Sequence, residues 1–197
     1  MNYLAHAYFS FGDSAILTGN MISDYIKGKK QFDYPDAIQK GIQLHRAIDQ
    51  FTDEHEATKA IKRIFSPYVR LYAGAFADIV YDHFLAIDPL EKTAEDWMQF
   101  SSETYRQLSE HQAWFPPQFA RMYPYMTQQN WLYNYRYEWG IQNSFRGLER
   151  RAQYLGNTDA IFACFLKEYE QIKQLSAVFL PDVKKFAFGQ FQQGERQ

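Results

Sequence analysis

A single cysteine, Cys164, stands among 197 residues, so no disulfide can close within the chain and a disulfide-stapled scaffold is excluded. Such sparing use of cysteine fits a reducing compartment, and a cytoplasmic location is expected. Cys164 itself, in the run IFACFL, reads as a small core residue. Long apolar runs are also missing. None approaches the ~20 residues that a bilayer-spanning helix requires, so no membrane span is expected. The opening MNYLAHAYFSFGDS lacks a basic stretch ahead of an apolar one and does not read as a secretory signal. Nor is there an excess of positive charge. Lys and Arg number 21 against 23 Asp and Glu, with a net charge of −2, whereas a general nucleic-acid binder would be basic. Strand signals are weak: there is no long alternating β-branched run and no Asn-Gly or Asp-Gly hairpin turn. Several chemistries are absent by motif. The chain has no Glu-x-x-His of the di-iron bundles, no His-Glu-x-x-His, no Walker A loop and no Gly-x-Ser-x-Gly.

What remains is a chain that is 46% hydrophobic and 18% aromatic, with 15 Tyr and 17 Phe. That is enough apolar surface for one sizeable core, polar in places because buried tyrosine hydroxyls need partners. Glycine and proline sit at joints: Gly12, Gly28, Pro35, Pro67, Pro89, Pro116-Pro117, Pro124, Gly156 and Pro181. Between them apolar residues recur at helical spacing, which predicts an all-α fold: a helical bundle formed as one domain over 1–190, with 191–197 as a frayed tail. Helices are expected around Tyr3–Tyr8, from a cap at Asp13 or Ser14 to about Lys27, from Pro35-Asp36 past Asp49, and over 56–86 with a break at Ser66-Pro67. Others are expected from a cap at Thr93 to about His111, near 117–127, 128–152 and 158–178, and in a last short segment over 182–191.

Groups that bind metals concentrate early. Four of the five histidines, His6, His45, His55 and His83, lie in the first 83 positions, interleaved with aspartates in apolar sequence. His45 and Asp49 stand four residues apart, hence about 40° apart around a helix and on one face. Asp78 and Asp82 repeat that spacing among Ile79, Val80, Tyr81, Phe84 and Leu85. Two carboxylates on one buried face stay ionised only with a cation beside them; otherwise one takes a proton. Asp24 lies in GNMISDYIKG, among apolar residues near a helix end. A mixed carboxylate and imidazole set suits Mn²⁺, Fe²⁺ or Zn²⁺, with Mg²⁺ also compatible. Each feature has a plainer reading: a structural hydrogen bond for His45 and Asp49, a solvated face for Asp78 and Asp82, a surface pair of Asp24 with Lys27, a satisfied core histidine for His6, and an exposed turn for His55.

At these residues the chain resembles the acyl carrier protein phosphodiesterase family. MNYLAHAYFS is similar to that family's MNxLAH start, GNMISDYIKG to its GNxxxDFxxG segment, GIQLHRAIDQFTDEH to GIxxHRxIDxxTD, and DIVYDHFLA to DxxxDHFL. The likeness is strong over about 1–90 and looser over about 120–152. It implies a helical fold related to the HD-domain metal phosphohydrolases. It also implies a metal-dependent phosphodiester hydrolase that removes 4′-phosphopantetheine from holo acyl carrier protein, with Mn²⁺ or a similar divalent ion. Carried over by position, the metal-site pool is Asp24, His45, Asp49, Asp78 and Asp82 together with His83, and His6 lies nearby. The leaving serine oxygen needs a proton, and a histidine not bound to metal, His6 or His83, is the expected donor. Tyr25 stands where phenylalanine is common in the family.

Phosphate oxygens are expected to meet Arg46 and Lys27, although Arg46 also reads as a surface residue, about 100° round the helix from His45. An acidic carrier protein calls for a basic docking face, for which Lys27, Lys29 and Lys30 are candidates, with Lys59, Lys62 and Arg63 as a second cluster. Two other functions fit the same residues: an HD-type phosphohydrolase acting on a small phosphoester or nucleotide, and a non-catalytic module that binds carrier protein through aromatic residues. Nothing in the sequence sets the oligomeric state.

Overall fold

The computed structural model describes residues 1–152, 155 and 158–195. The joint expected at Gly156 and the last two residues of the expected tail lie outside the described residues. Among those described there is no strand, and the all-α expectation holds. The helices are α1 (Tyr3–Tyr8), α2 (Ser14–Ile22), α3 (Asp36–Glu54), α4 (Glu56–Val69), α5 (Ala73–Ile87), α6 (Ala94–Glu110), α7 (Pro117–Gln128), α8 (Trp131–Asn134), α9 (Glu138–Arg151), α10 (Asp159–Lys167) and α11 (Tyr169–Glu195). No helix among them is long and apolar enough to cross a membrane.

Local side-chain chemistry sets the starts of α2, α4 and α6. Asp13 caps α2, its Oδ1 accepting from the N–H groups of Ala15 and Ile16 at 2.9 and 2.8 Å. Thr93 and Asp96 exchange side-chain and backbone hydrogen bonds in a capping box that opens α6. His55, expected in an exposed turn, instead caps α4, its Nδ1 accepting from Ala57 N at 3.1 Å.

Proline predicts less well than the caps do. Helix α4 runs through Pro67, where a break was expected, and ends at Arg70, whose φ of 47° lies in the left-handed region. Pro67 sits in the last turn, so only one backbone bond is lost. Pro181 likewise lies inside α11. Its cost is offset by burial of Phe179, Leu180, Val183 and Ala187 on one face. That helix continues to Glu195, past position 191 where the frayed tail was expected to begin. Phe191 packs on Phe11 there, with ring centroids 5.0 Å apart.

Helix α5 is buried on nearly every side, from Phe76 through Ala86 apart from the half-buried Asp78. Helices α1, α4, α9 and α11 surround it. Long α11 is fixed by aromatic stacking: Phe179 on Tyr81 at 4.0 Å and Phe186 on Phe51 at 4.5 Å. The buried Tyr81 hydroxyl finds Thr58 Oγ1 at 2.9 Å, the satisfied polar core that the tyrosine content called for.

The contact that matters for function is between α2 and α3. They cross at Gly19 and Gly41, so closely that a Cβ on Gly19 would stand 2.0 Å from the Ile38 carbonyl and one on Gly41 2.2 Å from the Ile16 carbonyl. Only glycine permits that approach. Ile42 and Ile48 of α3 are fully buried along the same face as His45, each stabilising by about 1.5–3 kcal/mol.

Candidate metal centre

The tight crossing brings α2's last turn against His45. The Asn20 carbonyl is among the last four of α2, which have no partner within the helix. It accepts instead from His45 Nδ1 at 2.7 Å. A carbonyl only accepts, so the proton of neutral His45 is on Nδ1 and its Nε2 carries a lone pair. The Asn20 side chain treats His6 of α1 in the same way. Its Nδ2 donates to the His6 carbonyl at 2.8 Å and to Ser10 Oγ at 3.1 Å, which leaves Oδ1 to accept from His6 Nδ1 at 2.8 Å. Both imidazoles thus expose Nε2, and their rings stack 3.8 Å apart.

The two Nε2 atoms converge on carboxylates. His45 Nε2 lies 3.0 Å from Asp49 Oδ2 and 3.1 Å from Asp24 Oδ1. His6 Nε2 lies 3.2 Å from Asp49 Oδ1, yet it is buried without a hydrogen bond. A lone pair held against a carboxylate is repulsive unless a cation or a proton comes between them. His6, His45 and Asp49 each offer one ligand atom, all within 4.8 Å of one another, and can hold a metal ion. Two imidazole nitrogens with carboxylate oxygens suit a divalent transition ion. The fit rests on that buried His6 nitrogen, which no group among the described residues satisfies. Asp24 lies on the solvent side, its side chain 67% exposed against 39% for Asp49.

Electrostatics follow the same lines. Burial, reinforced by neighbouring His45, pushes His6 down to about 4, so it is neutral. Burial also opposes charge on His45, but Asp24 and Asp49 outweigh it and raise His45 to about 9. In the protein alone a proton therefore sits on His45 Nε2 between the two carboxylates. The hydrogen bond from His45 lowers Asp24. Asp49 is held well below the usual carboxylate range: burial works against this, but the Met1 amine and the protonated His45 prevail.

The remaining residues of the expected set take other roles. Asp78 and Asp82 do share a face of α5 and do meet a cation, but that cation is the Met1 ammonium. Its nitrogen lies 2.9 Å from Asp78 Oδ1 and 3.3 Å from Asp49 Oδ1. Asp82, fully buried, accepts from the N–H groups of Asn2, Leu4 and Ala5 at 3.2, 2.7 and 3.3 Å, satisfying the start of α1. Burial raises Asp78 to about 6 and Asp82 to about 7, each opposed by the amine. Both therefore anchor α1, which carries His6. Asp82, expected as a metal ligand, here gives both of its oxygens to these three bonds.

His83, expected as a proton donor, has both ring nitrogens engaged within the fold. It is buried, with Nδ1 on the Tyr135 carbonyl at 2.7 Å and Nε2 on the Tyr169 hydroxyl at 2.9 Å, tying α5 to the chain after α8 and to α11. Arg46 is exposed and donates to Gln31 Oε1 at 2.7 Å and to the Ile26 carbonyl at 3.1 Å. Lys27, Lys29 and Lys30 are exposed just beyond Asp24. In the second basic cluster, Lys59 pairs with Glu56 and Lys62 with Asp53. Sequence reasoning missed Asn20 altogether. The signal was there: Asn20 is the second residue of GNMISDYIKG, where the family segment GNxxxDFxxG also specifies asparagine.

The acyl carrier protein phosphodiesterase family model matches residues 1–183. A protein of that name from Serratia proteamaculans is 29% identical over 196 residues, covering 95% of this chain and 97% of its own. One from Yersinia pestis is 28% identical over 191 residues, with the same coverage. One from Salmonella paratyphi A is 30% identical over 152 residues, 77% of this chain and 79% of its own. No solved structure matches the chain.

Proposed function

The chain belongs to the acyl carrier protein phosphodiesterase family, and from that premise we propose that it hydrolyses the phosphodiester joining 4′-phosphopantetheine to a serine of holo acyl carrier protein, using a divalent ion, Mn²⁺ foremost. The observation that carries the metal dependence is the convergence of His6 Nε2, His45 Nε2 and Asp49 within 4.8 Å, with both Nε2 lone pairs made available by Asn20. These three residues would hold the ion, and Asp24 stands beside them on the solvent side. When bound, such an ion polarises a phosphoryl oxygen and lowers the pKa of a water.

The protein's own groups do the rest. Asn20 fixes the imidazole tautomers before substrate arrives. Asp49 is anionic and held between His6, His45 and the Met1 amine. Asp78 and Asp82 seat α1 so that His6 reaches Asp49. Placing the phosphate at the mouth beside Asp24 leaves the carrier protein outside, over the exposed lysines.

The test is intact mass of holo carrier protein after incubation with the metal-loaded protein. Loss of the phosphopantetheine mass is expected, and is expected to vanish in Asp49→Asn with its helical circular dichroism unchanged. An unchanged carrier mass with folded, metal-loaded protein would reject this substrate. Turnover of small phosphoesters in that case would favour the HD-type alternative.

A further inference from the structure

The reacting bond in the proposed substrate is attached to a side chain of the partner protein itself. Its backbone must therefore come within about one side-chain length of the metal centre, and whatever rims the mouth must touch the carrier. The rim beyond Asp24 is the segment Ile26–Tyr34. Lys27 lies three residues from Asp24, hence within about 11 Å even if fully extended. A 3₁₀ turn over Gly28–Asp33 follows, entered through Gly28 at a φ of 57°.

The segment is held at both ends by α3. Arg46 grips Ile26 and Gln31, and Gln39 Nε2 donates to the Tyr34 carbonyl at 2.8 Å. Arg46 directly follows His45, so the brace and the metal centre share one turn of helix. On this braced turn Lys27, Lys29 and Lys30 are exposed and make no ion pair among the described residues, and Phe32 is 62% exposed. A large apolar side chain held out in water on a rigid turn, inside a basic rim, has the form of an interface anchor: charges steer the encounter and the aromatic supplies the affinity.

We propose that Phe32, ringed by Lys27, Lys29 and Lys30, is the docking anchor for the carrier protein, seating in an apolar recess of a partner face that carries carboxylates around its modified serine. This rests on the function proposed above, and it reassigns Arg46 from phosphate contact to bracing of the docking turn. Binding alone can test it. Labelled apo carrier protein, which lacks the scissile group, is titrated with the protein by fluorescence anisotropy at several salt concentrations. Phe32→Ser is expected to weaken binding about 10-fold. Leu90→Ser, which removes an apolar side chain 93% exposed on another loop, is expected to leave binding within twofold. The double variant Lys29→Gln, Lys30→Gln is expected to flatten the salt dependence. Absence of binding by the unmodified protein, a change below twofold for Phe32→Ser, or an equal loss for Leu90→Ser would overturn the proposal. A protein that binds through Phe32 but leaves holo carrier protein intact would instead reject the catalytic reading while keeping the docking surface.

Discussion

Asn20 and His45 meet across the crossing of α2 and α3, the carbonyl of one accepting from Nδ1 of the other at 2.7 Å. The Asn20 side chain accepts from His6 Nδ1 at 2.8 Å, so one residue sets both imidazoles. Asn20→Ala removes the second bond and leaves the His6 carbonyl and Ser10 Oγ without the Nδ2 donor. Divalent-ion affinity is expected to fall about 10- to 100-fold, as for other groups that orient ligands, and stability by about 1–3 kcal/mol. Competition with a chromophoric chelator and urea denaturation read the two. Asn20→Asp keeps an acceptor for His6 and is expected to retain more of the affinity. Unchanged affinity in Asn20→Ala would remove the orienting role.

The glycine crossing makes a second prediction. In Gly19→Ala or Gly41→Ala the new methyl meets backbone, 2.0 or 2.2 Å away, and the helices must separate. A loss of about 3 kcal/mol or more is expected, at or beyond the upper end for overpacking. Separation also pulls the Asn20 carbonyl off His45, so metal-induced stabilisation, read as the shift in Tm on adding Mn²⁺, should shrink. Gly189→Ala, in α11 with open space around its Cβ position, is the control and should be neutral or mildly stabilising.

Asp82→Ala distinguishes an anchor from a ligand. It strips the acceptors from three backbone N–H groups in a dry site, for which a loss of about 3 kcal/mol is expected. Metal stoichiometry in the fraction that remains folded should stay intact. A fully stable variant that no longer takes up metal would return Asp82 to the ligand set.

Proton and metal compete for His45. Its pKa is raised in the fold, to about 9 from 6.5. The stabilisation that its proton brings to the metal-free protein is therefore fully present below pH 6.5 and lost as pH rises through about 9. Metal requires the same Nε2 deprotonated, so its affinity should climb with pH over that window, about tenfold per pH unit while one proton is displaced. Calorimetry in two buffers of different ionisation enthalpy should show close to one proton released at pH 7. Affinity independent of pH from 6.5 to 9 would place the ion elsewhere. Chelation should lower Tm at pH 8 more than at pH 6.

Much of the helical plan was readable because its causes are local. Asp13 and Thr93 announce helix starts through bonds made within three residues, and the apolar period of α3 places His45, Asp49 and Ile48 relative to one another without reference to any other element. Proline misled, since Pro67 and Pro181 break a helix only if packing does not repay a single lost bond, and that packing comes from distant chain. Lys27, Lys29 and Lys30 were identifiable as a basic stretch; Phe32 was not, because nothing local says whether a phenylalanine faces water or core.

The sequence by itself determined the helical class, the shared face of His45 and Asp49, and the early concentration of imidazoles and carboxylates, for helical geometry fixes angles within a segment. Only the tertiary structure decided which acids join the histidines. Asp78 and Asp82 have the same spacing as a metal pair, yet they face the Met1 amine and the start of α1, and His83 turns to Tyr135 and Tyr169. Which partner fills a buried polar group depends on what packs against it, and that is settled where Gly19 meets Gly41, not along the chain.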